Sequence, residues 1–464
     1  MSQASFGPLS AERDAHLLDY FHRTAFIQNI LSAPSGEGPF LILSRPGAGK
    51  TAFKKWLLSK DSPYATISLD ATTARVFVDD PSFNDEDYRT LLRAELLAGL
   101  LGELIGRSPA QLRKGQSKTL RDAYAEAEDF VTENFLQSVV DFVKDRFASL
   151  QILGTGFSLS KEERGRYLKQ VRRKDLASAA LKCLEKVTAA EKHRFCLVVD
   201  NPEYIVGHGL ALTDRANAFR IGALLNLLAE IHTAGLRVAA FTKFHVFDSV
   251  QEHYTDYSHF ADSVARLEWT RDDLIEFVSL RVKKRLKSEW NDVFGLTQKD
   301  FADLVFPRII NGPRDVLFLL SAAQSASAGV KLSKDNLLSA STQLKDDKYK
   351  DMSRLFGGIY PGVDAFCKAA VAVVRDLKPS MTTQSVDAAV DSSISDPHGP
   401  LHGIRAKYDW VINVQAGIPR ASALLGTLGA FVFVANGRRH YPWEGHPLEA
   451  LDRSDSIELS PLFK

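Results

Sequence analysis

Length, composition and charge are those of an ordinary soluble globular protein. The chain has 464 residues, of which 45% are hydrophobic and 25% charged, and its formal net charge is +1. A chain of this length predicts about two to four domains. The near-zero charge excludes a global field that would draw the chain to nucleic acid or to an anionic membrane, so any such affinity must come from a local patch.

The spacing of the cysteines and the length of the apolar segments indicate the cellular compartment. Cys183, Cys196 and Cys367 lie far apart without a C-x-x-C spacing, which argues against a disulfide framework or a zinc site and favours a reducing compartment. The N-terminus lacks the pattern of a signal peptide, and no apolar stretch approaches the ~18 residues that a membrane span needs. We therefore expect a cytoplasmic protein with no membrane association.

A phosphate-binding loop is the clearest motif. After helical spacing over residues 17–31, an apolar strand over residues 38–43 leads into S-R-P-G-A-G-K-T at residues 44–51, a form of G-x-x-x-x-G-K-[ST] with Ser44 at the first glycine. Gly47 and Gly49 allow the tight turns that point backbone N–H groups at a phosphate. Lys50 is expected to reach the β and γ phosphates and Thr51 to hold Mg²⁺. The predicted nucleotide-binding residues are Ser44, Pro46, Gly47, Ala48, Gly49, Lys50, Thr51 and Ala52.

A long insertion separates the second strand, residues 64–70, from the third, residues 194–200. Residues 71–193 exceed an ordinary βαβ crossover, so they predict an inserted helical subdomain. Helices are expected over residues 86–105, 120–150 and 175–189, with a short extended or hairpin segment over 150–159. The basic run over 161–174 is either a solvated helix face or a site for phosphate or an acidic partner.

Alternating strands and helices resume after Asp200, with a helix over residues 216–232 and strands over 236–242 and 263–269. Five mostly parallel strands predict a three-layer α/β core over residues 1–270. Residues 271–345 contain helices without strands and predict an α-helical lid. Helices followed by a hairpin turn at Asn436-Gly437 predict a winged-helix-like module over residues 346–464.

Polar residues stand at or just after the ends of two predicted apolar strands. Asp200 ends the run Phe195 to Val199, the pattern of a strand whose carboxylate orients Mg²⁺ together with Thr51. Glu203 is the next acidic residue and either polarises a water or is a solvated loop acid. Thr242-Lys243-Phe244-His245 lacks the aspartate of the guanine-reading [NT]-K-x-D motif, so ATP is expected rather than GTP.

Taken together, S-R-P-G-A-G-K-T at 44–51, V-V-D-N-P-E at 198–203 and N-G-P-R-D-V at 311–316 resemble STAND/AAA+-type P-loop ATPases, and in particular a bacterial group with a P-R-D lid motif and a C-terminal winged helix. The resemblance implies a P-loop NTPase core with sheet order 5-1-4-3-2, ATP-driven switching and, often, homo-oligomers. It implies catalytic roles for Lys50, Asp200, Glu203, Lys243 and Arg314. Lys243 stands where such proteins place a γ-phosphate sensor, and Arg314 where a lid arginine faces the phosphates; for each the alternative is a solvated surface residue. No arginine finger precedes the last strand, because Arg266 lies within it, and there is no repeat array or fused effector.

Three functions follow from these motifs. The leading interpretation is an ATP-binding, slowly hydrolysing switch that works through partner proteins; bacterial members of the family that the chain resembles are frequent in antiphage defence and stress signalling. A DNA-handling ATPase of the origin-loader type is an alternative, and a non-catalytic, nucleotide-locked scaffold is another.

The helix over 420–428 offers only Arg420, and the hairpin adds Arg438 and Arg439, so docking on protein is favoured over specific DNA binding. The run over 281–287 resembles a nuclear-import signal in composition, but on a helix it predicts a solvated basic face.

Overall fold

A computed structural model describes most of the chain. The described residues are 5–70, 84–108, 116–134, 175–192, 194–206, 215–327, 329–357, 360–377, 379–411, 420–444, 450 and 453–464. The segment expected to be extended, 150–159, and the basic run over 161–174 lie outside the described residues, as does the second part of the helical region expected over 120–150.

The first part of the chain begins with a short helix and alternates strands and helices on both sides of the helical insertion. Its elements are α1 (Ala25–Ser32), β1 (Leu41–Ser44), α2 (Lys50–Leu57), β2 (Ala65–Asp70), α3 (Asp85–Arg107), α4 (Lys118–Asn134), α5 (Leu176–Ala190), β3 (Phe195–Asp200), α6 (Arg215–Thr233), β4 (Arg237–Lys243), α7 (Phe244–His253), α8 (Ser258–Ala261) and β5 (Val264–Arg266).

The second part is helical until a small sheet near its end. Its elements are α9 (Arg271–Arg281), a π-helical turn (Val282–Leu286), α10 (Trp290–Val293), α11 (Gln298–Val305), α12 (Pro313–Ala326), α13 (Lys334–Phe356), α14 (Val363–Arg375), α15 (Thr383–Ser395), α16 (His402–Arg405), α17 (Ala421–Leu428), β6 (Phe431–Ala435), β7 (Arg438–His440) and β8 (Ser456–Leu459).

A parallel sheet of five strands confirms the α/β class. The strand order is β2-β3-β4-β1-β5, and read from the β5 edge the same order is 5-1-4-3-2. Ile67 of β2 lies opposite Leu197 of β3, and Val198 lies opposite Ala239 of β4. Strands β1, β3 and β4 are buried along nearly their whole length, as expected for the inner strands of a parallel sheet that is covered on both faces.

The described residues form two compact units. The sheet unit comprises residues 27–43 and 53–265. Its core contains the central strands and the apolar faces of α3, α5 and α6. In the insertion, α3 begins at a capping box in which the Asn84 side chain accepts a hydrogen bond from the Asp87 N–H and the Asp87 side chain bonds back, so two unpaired N–H groups at the helix start are satisfied.

The lid unit comprises residues 1–26, 44–52 and 266–464, so the phosphate-binding loop belongs to it. Its helix α9 starts at a second capping box, formed by Thr270 and Asp273. Strands β7, β6 and β8 form an antiparallel sheet in the order β7-β6-β8. The turn between β6 and β7 has φ values of 50° at Asn436 and 73° at Gly437, as the predicted two-residue hairpin turn requires. The division into core, lid and winged-helix-like module stays a prediction.

One surface prediction holds for part of its run. Lys283, Lys284 and Lys287 of the basic run over 281–287 are exposed, as a solvated face requires, but Arg281 is only 3% exposed. Its guanidinium carbon lies 3.8 Å from the centre of the Phe277 ring and 4.7 Å from that of Tyr20. The planar guanidinium stacks on aromatic faces, and burial lowers its pKa to about 10.

Candidate nucleotide-binding site

The backbone of the phosphate-binding loop takes the conformation that its sequence predicts. Strand β1 ends at Ser44 and helix α2 begins at Lys50. Gly47 and Gly49 have φ values of 83° and 105°, a region that residues with a Cβ enter at a steric cost. The two glycines of the motif therefore stand where the turn needs them.

The Lys50 side chain lies back along the loop. Lys50 is 8% exposed. Its Nζ donates to the Ser44 Oγ at 2.8 Å and to the Arg45 carbonyl oxygen at 3.3 Å. Serine in place of the usual first glycine thus provides a hydroxyl acceptor for the lysine ammonium, a role that the motif alone did not indicate.

The Trp269 side chain, which precedes α9, packs on the loop. The Trp269 Nε1 donates to the Ala48 carbonyl oxygen at 2.8 Å. A Cβ built on Gly49 or on Gly312 would lie 3.6 Å from the Trp269 ring, so this indole lies between the loop and the residue before α12. Sequence reasoning treated Trp269 only as the end of a strand.

Arg314 lies directly against the loop. A Cβ built on Gly47 would come within 2.7 Å of the Arg314 Cδ and 2.8 Å of its Cβ. Pro313, the residue before Arg314, occupies the first position of α12, where its missing N–H is not needed. The structure therefore brings Arg314 and the phosphate-binding loop together.

Asp315 fixes the segment that carries Arg314. It is 1% exposed, and its Oδ2 accepts hydrogen bonds from the N–H groups of Ile310 and Asn311, both at 2.9 Å. Its Oδ1 lies 2.6 Å from the Nζ of Lys348, which is 3% exposed. This buried ion pair holds the loop before α12, and no sequence pattern indicated the partner of Asp315.

Arg45 extends from the phosphate-binding loop to the C-terminal helix α17. Its Nη1 donates to the Thr427 carbonyl oxygen at 3.2 Å. Carbonyl groups at a helix C-terminus carry partial negative charge, which suits a guanidinium. Arg45 is 7% exposed, and burial lowers its pKa to about 10.

The sheet unit contains a second group of predicted site residues. Glu203 is 6% exposed, so it is not a solvated loop acid. Its Oε2 accepts a hydrogen bond from the Thr242 Oγ1 at 3.0 Å, and its Oε1 lies 3.1 Å from the Lys243 Nζ. Thr242 and Lys243 end β4, so the end of that strand holds the carboxylate in place.

Asp200 ends β3 with its carboxylate next to a cation. Its Oδ2 lies 3.2 Å from the Nζ of Lys54 on α2, and the Asp200 side chain is 16% exposed. Asn201 then takes a left-handed φ of 52°, a conformation that asparagine tolerates better than most residues. Its N–H donates to the Phe241 carbonyl oxygen at 2.9 Å, which directs the chain towards Glu203.

The predicted site residues thus fall into two groups. In the lid unit the phosphate-binding loop and Arg314 lie together; in the sheet unit Asp200, Glu203 and Lys243 follow neighbouring strands. The left-handed glycines and the buried lysine fit a phosphate ligand. The Thr51 hydroxyl and the Asp200 carboxylate are oxygen ligands of the kind that Mg²⁺ prefers.

The fold defines an α/β protein, and the loop between β1 and α2 carries the sequence motif and the left-handed glycines of a phosphate-binding loop. No protein-family model matches the chain, and no curated protein shows a significant match to it. Within the part of the chain that the structure describes, no helix has the length and apolar character to cross a membrane.

Proposed function

We propose that the chain binds Mg·ATP and hydrolyses it slowly, as a nucleotide-dependent switch of the STAND/AAA+ type. The observation that carries the proposal is the phosphate-binding loop itself, with left-handed Gly47 and Gly49, a buried Lys50, and Trp269 and Arg314 packed against it. A loop of this form directs backbone N–H groups and one ammonium at phosphate oxygens.

Each residue of the site has a distinct task. Lys50 would bind the β and γ phosphates, and Thr51 and Asp200 each offer an oxygen ligand to Mg²⁺, which would supply charge neutralisation at the phosphates. Glu203 orients the attacking water. Its Oε2 accepts a hydrogen bond from Thr242, and its Oε1 lies 3.1 Å from the Lys243 ammonium without a hydrogen bond; the buried position and the ion pair limit how a water can approach it. The proposed turnover is therefore slow.

The switch depends on the lid arginine. ATP gains a contact with Arg314 through its γ-phosphate, whereas ADP lacks that group. A ligand shifts a conformational equilibrium only by its difference in affinity for the two states. Arg314 thus supplies the difference between the ATP and ADP forms.

The biological setting follows from the resemblance: a cytoplasmic bacterial defence or signalling assembly, in which a partner protein or a second copy of the chain receives the signal. The C-terminal residues belong to a winged-helix-like module in this proposal. Its candidate recognition helix α17 buries Ala421, Leu424, Leu425 and Leu428. Arg439 of the hairpin pairs with Glu458 at 3.0 Å. These contacts favour docking on protein over reading DNA.

Steady-state ATP turnover of the wild type and of Glu203→Gln tests the proposal. Glutamine keeps the size of the side chain and removes the charge that orients water, so we expect turnover to fall by about a hundredfold while Mg·ATP still binds. Glu252→Gln, on the exposed side of α7, is the matched control and should turn over ATP at the wild-type rate. Turnover that is near zero in the wild type and unchanged in Glu203→Gln would contradict hydrolysis and favour the non-catalytic scaffold.

A further inference from the structure

A cavity of about 440 Å³ lies in the lid unit, and no residue of the phosphate-binding loop lines it. Its lining joins the N-terminal segment to the π-helical turn after α9. The lining residues are Ser5, His16, Asp19, Tyr20, Lys284, Arg285 and Lys287. Three cations therefore face one carboxylate, and that carboxylate is already 3.2 Å from the His16 Nδ1.

Arg285 is held in place on one side. Its Nε donates to the Ser5 carbonyl oxygen at 2.8 Å, and its Nη1 donates to the Tyr20 hydroxyl at 3.2 Å. The Tyr20 hydroxyl in turn donates to Asp14, which is 4% exposed. Burial and the Asp14 carboxylate raise the pKa of Tyr20 to about 12, so the phenol keeps the proton that this chain of hydrogen bonds needs.

The Arg285 Nη1 also lies 3.5 Å from the Oδ1 of the buried Asp14, so its contacts are made by Nε and Nη1. Among the described residues its Nη2 has no hydrogen-bond partner. A guanidinium fixed by two of its nitrogens loses little side-chain entropy when it binds a further anion through the third. Arg285 is therefore a pre-organised donor at the cavity.

The backbone brings two lysines to the same cavity. The chain leaves α9 through the π-helical turn Val282–Leu286, and Lys287 ends this turn with a left-handed φ of 52°. π-helical turns of this kind recur at functional sites. Lys284 and Lys287 are both exposed, and neither has an ion-pair partner within the described ranges.

We propose that this cavity binds a small ligand with two or more phosphate groups, independently of the nucleotide at the phosphate-binding loop. Arg285 gives planar, directional hydrogen bonds to one phosphate, and Lys284 and Lys287 neutralise the rest. A volume of about 440 Å³ fits a molecule of metabolite size. The basic run that resembled an import signal thus has a binding role.

The test uses the full-length chain carrying Lys50→Ala, which weakens the phosphate-binding loop, and inorganic tripolyphosphate as the probe in calorimetric titrations. We expect one bound tripolyphosphate, and about tenfold weaker binding when Lys284→Glu and Lys287→Glu are added. Lys283→Glu is the matched control, because Lys283 lies in the same turn and is exposed but does not line the cavity. It should bind within about twofold of the parent.

Three results would overturn the proposal. Equal binding by the Lys284→Glu/Lys287→Glu chain would show that the cavity is not the site. An equal loss in Lys283→Glu would indicate only a diffuse surface field. Tighter binding of a single-stranded oligonucleotide than of tripolyphosphate, lost in the same double variant, would make the run a nucleic-acid contact instead. Thermal unfolding of each variant checks that it is folded, and none of these outcomes depends on ATP hydrolysis.

Discussion

Arg314 and Gly47 lie so close together that no side chain fits between them: a Cβ on the glycine would come within 2.7 Å of the arginine Cδ. The glycine at this position therefore serves two purposes. It gives the loop its left-handed φ of 83°, and it lets the lid arginine pack on the loop. The lid residue most suited to sense a phosphate thus contacts the loop expected to bind it.

Arg314→Ala should still bind ADP but lose most of its preference for ATP. The γ-phosphate would lose one charge-assisted contact, so we expect the ratio of ATP to ADP affinity to fall by about tenfold. Titration with each nucleotide, together with limited proteolysis, measures this. The control is Arg438→Ala, another arginine truncation at an exposed hairpin position. If ATP protects Arg314→Ala from protease as well as it protects the wild type, Arg314 does not sense the γ-phosphate.

The buried pair behind Arg314 should dominate the stability of the lid unit. Lys348→Met leaves the Asp315 carboxylate buried without its cation, which costs about 3 kcal/mol in the free energy of unfolding. Lys350→Met is the matched control, since Lys350 is exposed on the same helix, and should change stability by less than about 0.5 kcal/mol. Urea unfolding compares the two. Equal effects would mean that the Asp315–Lys348 pair does not stabilise the lid.

His232 should make the sheet unit sensitive to mild acid. Its Nδ1 accepts the Val238 N–H at 3.2 Å, which requires the neutral ring, and burial lowers its pKa below the ordinary 6.5. The unfolded chain therefore takes up a proton first. The free energy of unfolding should fall as the pH drops below about 6.5 towards the folded-state pKa, by up to about 1.4 kcal/mol per pH unit.

Asparagine at this position keeps an acceptor without a titrating ring. His232→Asn should remove most of this slope between about pH 6.5 and 5.5 in urea unfolding experiments, whereas the exposed control His398→Asn should keep it. An unchanged slope in His232→Asn would assign the acid sensitivity to other groups.

Much of the fold could be predicted because its signals are local. Apolar runs and the spacing of Gly47, Gly49 and Lys50 predict the strands and the loop. Contacts between distant segments could not be predicted. The hydrogen bond from Trp269 to Ala48 joins residues 221 positions apart, and the ion pair of Lys348 with Asp315 joins residues 33 positions apart. No local pattern indicates such partners. Arg281 was predicted to be solvated because composition does not tell which face of a charged helix packs.

Glu203 shows the same limit at the candidate site. Its spacing from Asp200 predicts a second acid, but the sequence left open whether it is solvated. The structure places it beside Thr242 and Lys243, because β3 and β4 are adjacent and parallel. The sequence therefore predicted the positions of the candidate site residues in the sheet unit, but their contacts follow only from the pairing of β3 and β4.

Calorimetric titration of Mg·ATP into the wild type and into Lys50→Ala measures whether the phosphate-binding loop binds Mg·ATP through Lys50. Loss of the ammonium removes charge-assisted contacts with two phosphates, so we expect at least about tenfold weaker binding. Thermal unfolding of the apo proteins checks that the variant is folded. A folded Lys50→Ala that binds Mg·ATP as tightly as the wild type would contradict the account.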